Sequence, residues 1–300
     1  MRVAVTGATG YVGRFVVDDL LAHGHTIRAW TRPTSDRAGF AGAIDWCPGG
    51  LDQRGSELDL VRGTDALVHA AFEHVAGRYR GGEGDDSDAF LATNLEGSLR
   101  LIRAARREGA ARVVFLSSRA VYGERLWDRP LDERHPVQPT THYGAYKAAV
   151  EVALAGYGRA EGWPAASLRA TGVYGVGHRA ARAKWAEVVR TSRAGTPPPP
   201  RAGTEVHGGD VAAAVRLLLE APADAVAGEA FNLSDVVVSH RAVCRLAGGA
   251  LAPPAGLTRG VMATDKLQAL GWRPRGWPGV EATVARLVDG LGREPTNRGR

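Results

Sequence analysis

Residues 2–24 read RVAVTGATGYVGRFVVDDLLAHG, and they set the architecture of the chain. Arg2 to Thr6 is short, apolar and β-branched, and it runs into Gly7, the pattern of a buried parallel strand. Val12, Phe15, Val16 and Leu20 then recur at helical spacing, and Gly24 closes the run. Between strand and helix stand Gly7, Gly10 and Gly13 in the pattern G-x-x-G-x-x-G. A dinucleotide diphosphate has to approach backbone N–H groups at a helix N-terminus closely, and side chains at the approach positions would block it. A glycine triplet alone says little. Here a strand precedes it and a helix comes after, which is the context that binding requires.

Beyond this unit, HTIRAW is a second strand, stopped by Arg32-Pro33. Ala66 to His69 and Arg112 to Ser117 are further strands. Helices are expected at Asp88 to Glu108, with Leu95, Leu99 and Ile102 inward, and at Tyr143 to Glu161. Alternating strands and helices over this length indicate an α/β protein with a Rossmann-type doubly wound parallel sheet. After residue 170 the pattern loosens. Gly195-Thr-Pro-Pro-Pro-Pro-Arg201 is neither helix nor central strand. Asp210 to Glu220 is a helix with Val211, Val215, Leu218 and Leu219 inward, and another runs near Val280 to Leu291. The expected organisation is a dinucleotide-binding core over 1–170, to which later elements return. A smaller substrate-binding lobe then covers 171–292, with a flexible tail over 293–300.

The totals fit this reading. The chain has 300 residues, enough for a large core, and a net charge of +6. The charge is spread along the chain with no basic block, so a nucleic-acid partner is not expected. It would attract anionic ligands such as a phosphorylated cofactor. Cys47 and Cys244 sit in no C-x-x-C pattern and are read as small, partly buried free thiols, with no metal site. No apolar run reaches membrane-spanning length and no apolar signal region opens the chain, so a cytoplasmic protein with no membrane partner is expected.

The second strand carries information on the cofactor. An NAD site usually ends this strand in Asp or Glu, which bonds the ribose 2′-hydroxyl. This strand ends Trp30-Thr31-Arg32. A guanidinium fits a 2′-phosphate that a carboxylate would repel, so NADP is expected ahead of NAD. The plainer reading of Arg32 is a solvated charge before a proline.

RVVFLSSRAVYG ends a strand in two serines, and THYGAYKAAVE places Tyr143 and Lys147 four residues apart. On a helix that spacing puts both on one face. A free phenol, with a pKa of ~10, is a poor base at neutral pH. A neighbouring ammonium stabilises the phenolate, and Tyr143 can then exchange a proton with a substrate oxygen while hydride crosses to or from a nicotinamide ring. Ser118 at the strand tip would hold the same oxygen.

With these residues in place, the sequence resembles an extended short-chain dehydrogenase/reductase of the NAD-dependent epimerase/dehydratase type. The landmarks run in order: TGATGYVG, DALVHAA at 65–71, Asn94-Leu-Glu-Gly-Ser, SSRAVYG, Tyr143-Gly-Ala-Tyr-Lys147, LRATGVYG at 168–175, His207-Gly-Gly-Asp-Val-Ala, FNLS at 231–234 and DKLQALGWRP. The resemblance selects Ser118 over Ser117 as the catalytic serine. It implies cofactor contacts from Gly7, Thr9, Gly10, Tyr11, Val12, Gly13, Arg32, Leu51, Ala70, Ala71, Tyr143 and Lys147. It also implies that Asn94 supports the site, that the 72–88 loop lies near substrate, and that members pair through the Tyr143 helix. The small apolar residues Ala148, Ala149, Val152 and Ala153 permit such a homodimer.

The departures narrow the activity. Sugar-nucleotide dehydratases carry Asp-Glu just after the catalytic hydroxyl residue; Arg119 and Ala120 stand here, so dehydration is not expected. Nucleotide-sugar epimerases usually carry Asn shortly before their Tyr-Gly, where this chain has Gly172, and an Arg before the His-Val-Asp-Asp-like motif, where it has Gly203 to Val206. The acid of the third-strand Gly-Asp-Leu motif is replaced by Gly50. The missing Asn and Arg favour a small substrate without a nucleotide, and Gly50 weakens the expected adenine pocket but not the fold. Glu73 and His74, with Arg78 and Arg80 in the same charged loop, and Arg119 are the expected substrate contacts; for the loop residues, solvated charges are the plainer reading. His207 reads as a structural hydrogen-bond partner, and Asp210 as the cap of its helix. The leading function is an NAD(P)-dependent oxidoreductase acting on a small alcohol, carbonyl compound or sugar. A nucleotide-sugar epimerase holding NAD tightly is the alternative. A non-catalytic NADP-binding sensor is the third reading, and the retained Tyr143 argues against it.

Overall fold

A computed structural model describes residues 1–75, 84–123, 130–256 and 260–293; Arg78, Arg80 and the tail beyond 293 lie outside them. Among the described residues there are ten strands: β1 (Arg2–Thr6), β2 (Thr26–Thr31), β3 (Ile44–Pro48), β4 (Ala66–His69), β5 (Arg112–Ser118), β6 (Ala165–Ala170), β7 (Gly172–Tyr174), β8 (Ala202–His207), β9 (Ala230–Leu233) and β10 (Val236–Ser239). Seven form one parallel sheet in the order β3-β2-β1-β4-β5-β6-β9. The order reverses at β1, so the C-terminal ends of β1 and β4 open the crevice where a doubly wound sheet binds its ligand. β10, β8 and β7 form a second, three-stranded sheet.

Burial explains the strand sequences. Val3, Ala4, Val5, Ala66, Leu67 and Val68 are fully buried, because helices cover both faces of the sheet. On one face α1 (Tyr11–Ala22) sets Val16, Val17 and Leu20 among Val211, Val215 and Leu218 of the helix Gly208–Glu220. On the other, α2 (Ser56–Val61), α3 (Ser87–Leu91), α4 (Gly97–Arg107) and α5 (His142–Glu161) bury Leu60, Leu101, Ile102, Tyr146, Val150 and Leu154. Each such side chain contributes about 1.5–3 kcal/mol when fully buried. The second sheet has its own apolar cluster, in which Tyr174 stacks on Trp185 with ring centroids 4.7 Å apart.

The helix expected from Asp88 to Glu108 runs unbroken from Ser87 to Arg107, but it is not α-helical throughout. A π-helical turn, Ala92–Glu96, separates α3 from α4. The wider turn rotates α4 about its axis, so Asn94, Ser98, Leu101 and Ile102 are buried, while Leu95 and Leu99 are only partly so. π turns are frequent at functional sites, and this one places Asn94. The expected cap at Asp210 is also corrected. His207 is the N-cap, and its Nδ1 accepts from the Gly209 amide at 2.9 Å. Asp210 instead accepts from the Arg275 amide at 3.0 Å and pairs with its guanidinium, tying the C-terminal segment to this helix.

Candidate active site and cofactor cleft

Gly7 has φ +70, and a side chain on it would sit 2.8 Å from the Ala70 carbonyl. A side chain at Gly13 would collide with the Gly7 carbonyl, so both positions demand glycine. The Gly10 amide donates to Gly7 O at 2.9 Å, closing the turn. Gly10, the N-cap of α1, supplies no capping side chain, and the first turn carries no acid. The amide groups at this helix end are thus presented without a competing anion, which suits a diphosphate. The fit of the turn to a dinucleotide rests on these observations. Thr9, Tyr11, Arg14, Asp36, His178 and Arg179 line a cleft beside it. Arg14 and Arg179 approach Asp36 there at 3.8 and 3.2 Å.

Ala70 and Ala71 come directly after β4, and both amides donate to Thr6 Oγ1, at 3.2 and 3.1 Å. With its lone pairs so used, the Thr6 hydroxyl donates to His69 Nδ1 at 2.8 Å. His69 Nε2–H then donates to Ser98 Oγ at 2.8 Å, and Ser98 donates to Asn94 O at 2.5 Å. Burial pushes the His69 imidazole down to about 3, with the Lys147 charge acting the same way, so it stays neutral as this relay needs. Val12 packs against the core, and Leu51 is 1% exposed. Leu51 is therefore part of the floor under α4, where its carbonyl accepts from Arg100 at 2.7 Å.

The Ser, Tyr and Lys set converges at the tip of β5. Ser118 is the last residue of that strand and its Oγ accepts from the Ala120 amide at 3.2 Å. Gly144 packs on this turn so tightly that a Cβ would lie 2.5 Å from Ala120 O, which brings the start of α5 and Tyr143 beside it. Lys147, 3% exposed, donates from Nζ to Leu116 O at 2.6 Å. That Nζ lies 5.7 Å from the centre of the Tyr143 ring and 4.5 Å from the centre of the Phe115 ring. Burial lowers the Lys147 ammonium to about 7, and the charge of Glu151 pulls the other way.

The expected substrate residues scatter. Glu73 Oε1 lies 2.5 Å from Arg32 Nη1 at the end of β2. His74 stacks on Phe72 with centroids 4.8 Å apart. Arg119 donates to Gly260 O at 3.0 Å. Sequence reasoning missed Phe72, whose ring centre is 4.8 Å from that of Tyr143. It also missed Glu151, which accepts from Ser117 and from Arg169, 2.7 Å away, while Arg169 donates to Tyr122 at 2.8 Å. A signal for Glu151 was present: residues 143, 147 and 151 share one face of α5. Among the described residues no cluster of His, Cys, Asp and Glu could hold a metal ion, and no helix is long and apolar enough to cross a membrane.

A doubly wound parallel sheet with a glycine turn at its switch point defines a Rossmann-type dinucleotide-binding fold. The chain belongs to the NAD dependent epimerase/dehydratase family, whose model matches residues 3–234. It is 31% identical over 179 residues to a UDP-glucose 4-epimerase of Corynebacterium glutamicum, covering 58% of this chain and 53% of that protein. It is 30% identical over 200 residues to the 4-hydroxy-2-methyl-3-oxo-4-farnesyl-3,4-dihydroquinoline-1-oxide ketoreductase of Stigmatella aurantiaca, covering 64% and 56%. The chain thus spans about half the length of the curated relatives it matches. Among solved structures, the UDP-glucose 4-epimerase of Thermus thermophilus in complex with NAD superposes with a TM-score of 0.77 at 26% identity, over 96% of this chain and 99% of that one.

Proposed function

We propose that this protein is an NAD(P)-dependent oxidoreductase that interconverts a carbinol and a carbonyl in a small substrate. The observation that carries this reading is the buried Lys147, fixed to Leu116 O one helical turn from Tyr143, with Ser118 ending the same strand. Bound on the Gly7–Gly13 turn, the cofactor supplies or accepts hydride. Tyr143 gives a proton to, or takes one from, the substrate oxygen; Lys147 stabilises the phenolate; Ser118 orients the oxygen by a hydrogen bond. Phe72 packs against the Tyr143 ring, with centroids 4.8 Å apart, and helps to hold the phenol in place. NADP stands ahead of NAD in this reading, because Arg32 directly follows β2, where an NAD site has an acid. The test is turnover of NADPH and NADH with a panel of small ketones, aldehydes and alcohols. Turnover by the wild type that is lost in Tyr143→Phe supports the reading; no turnover with any of them overturns it.

A second reading, a sugar-nucleotide epimerase retaining NAD through its cycle, is favoured by the UDP-glucose 4-epimerases among the relatives. NAD copurifying with the protein and not exchanging with free nucleotide would move the weight to it. Val152 on α5 is 68% exposed, which supports a homodimer through this helix. Val152→Glu should then shift a dimer to monomer in size-exclusion chromatography.

A further inference from the structure

Arg32 is not a simple vacant cation waiting for a phosphate. Its Nη1 lies 2.5 Å from Glu73 Oε1. β2 and β4 flank β1, so this pair spans the C-terminal tip of β1 beside the Gly7 turn. Glu73 is held there by its main chain. Its amide donates to Asn94 Oδ1 at 2.9 Å, and its carbonyl accepts from Asn94 Nδ2 at 2.9 Å. Asn94 is fully buried on the π-helical turn, and Nδ2 also donates to Phe90 O at 3.0 Å. The Asn94 carbonyl ends the relay through Ser98 and His69 that begins at Thr6. The backbone of Glu73 is therefore fixed relative to β1, while the side chains of Arg32 and Glu73 stay 50% and 32% exposed.

We propose that Glu73 is a specificity-determining residue for the cofactor: a built-in carboxylate that holds Arg32 and competes with the 2′-phosphate of NADP. Selectivity between the two nucleotides is then set by the Arg32–Glu73 pair and not by Arg32 alone. This rests on the reading of the chain as a nicotinamide-nucleotide enzyme. A 2′-phosphate makes a strong bidentate partner for a guanidinium. To reach Arg32 it has to displace the carboxylate, and the freed carboxylate is left near a second anion, an unfavourable like-charge contact. A 2′-hydroxyl makes no such demand, and NAD leaves the pair intact. The pair is partly exposed, so releasing Arg32 is worth at most about a fivefold change in affinity.

The experiment is fluorescence titration of NADPH and NADH into the wild type, Glu73→Gln, Arg32→Ala and the double variant. Asn94 holds only the main chain of Glu73, so Glu73→Gln keeps that clamp. The expected result is NADPH binding about three- to fivefold tighter in Glu73→Gln with NADH changed less than twofold, and most of that gain absent in the Arg32→Ala background. NADPH binding unchanged or weakened by Glu73→Gln, an equal gain for NADH, or a gain undiminished without Arg32 overturns the proposal. A wild type that binds neither nucleotide overturns this proposal and the oxidoreductase reading together. A wild type that binds NADPH, with no response to Glu73→Gln, overturns the Glu73 role alone.

Discussion

Lys147 Nζ donates to the carbonyl of Leu116 at 2.6 Å, so the amine four residues beyond Tyr143 is anchored to the strand that ends in Ser118. The anchor fixes where the charge sits, and burial makes that charge costly: the group titrates at about 7 where a free lysine has 10.5. The unfolded chain therefore binds more protons than the folded one between pH 7 and 10.5, and this site's contribution to stability rises with pH across that window. Lys147→Met should lower kcat at least about 100-fold. Its thermal stability advantage over the wild type should be largest at pH 7 and below and should shrink towards pH 10. Calorimetry of both proteins from pH 6 to 10 reads this directly; a constant difference would contradict it.

Tyr143→Phe removes one hydroxyl and keeps the ring contact with Phe72, 4.8 Å between centroids. We expect kcat to fall by about 100- to 10,000-fold, the usual worth of a general acid/base. Nucleotide affinity should change little. Single-turnover kinetics together with nucleotide titration separates the two, and an intact kcat would remove Tyr143 from proton transfer.

Gly13→Ala drives a methyl group into the Gly7 carbonyl, which is backbone and cannot step aside. Nucleotide binding should fall below detection while far-ultraviolet circular dichroism stays close to wild type. Gly24→Ala is the control: Gly24, φ +79, has open space around it, so only backbone strain of about 1 kcal/mol is expected.

Glu151 and Arg169 form a buried pair, each side chain 7% exposed. Burial opposes the Arg169 charge, but hydrogen bonds and charge from Glu151 hold the guanidinium more firmly protonated than usual. Glu151→Gln leaves that cation underpaired and should destabilise the fold by about 3–5 kcal/mol in urea unfolding. A loss below about 1 kcal/mol would mean Tyr122 and water suffice for Arg169.

His207 is held near 4 by burial and by the charges of Arg275 and Arg286. Its Nδ1 accepts from Gly209 N and lies 2.9 Å from Arg275 Nη1, so the neutral ring is the one the structure uses. The unfolded chain takes up this proton near pH 6.5, so the His207 contribution is complete above 6.5 and is lost as pH falls towards 4. Melting temperature should drop across that window, and His207→Asn should flatten the drop.

The parallel sheet, the glycine turn and the helical spacing of Tyr143 and Lys147 were all legible in the order of residues. Each is written in local periodicity or in a residue type that a backbone conformation requires, as Gly7 and Gly13 show. Strands such as β6 to β10 were hard to read, because short runs stabilised by pairing with distant strands carry little local signal. The π turn at Ala92–Glu96 was invisible for the same reason. It is held by Asn94 bonding Glu73, 21 residues away. Only the folded molecule brings Glu73 to Arg32 and Asp210 to Arg275. A charge's partner depends on which strand ends lie side by side, and strand order is a property of the folded sheet that no spacing along the chain encodes.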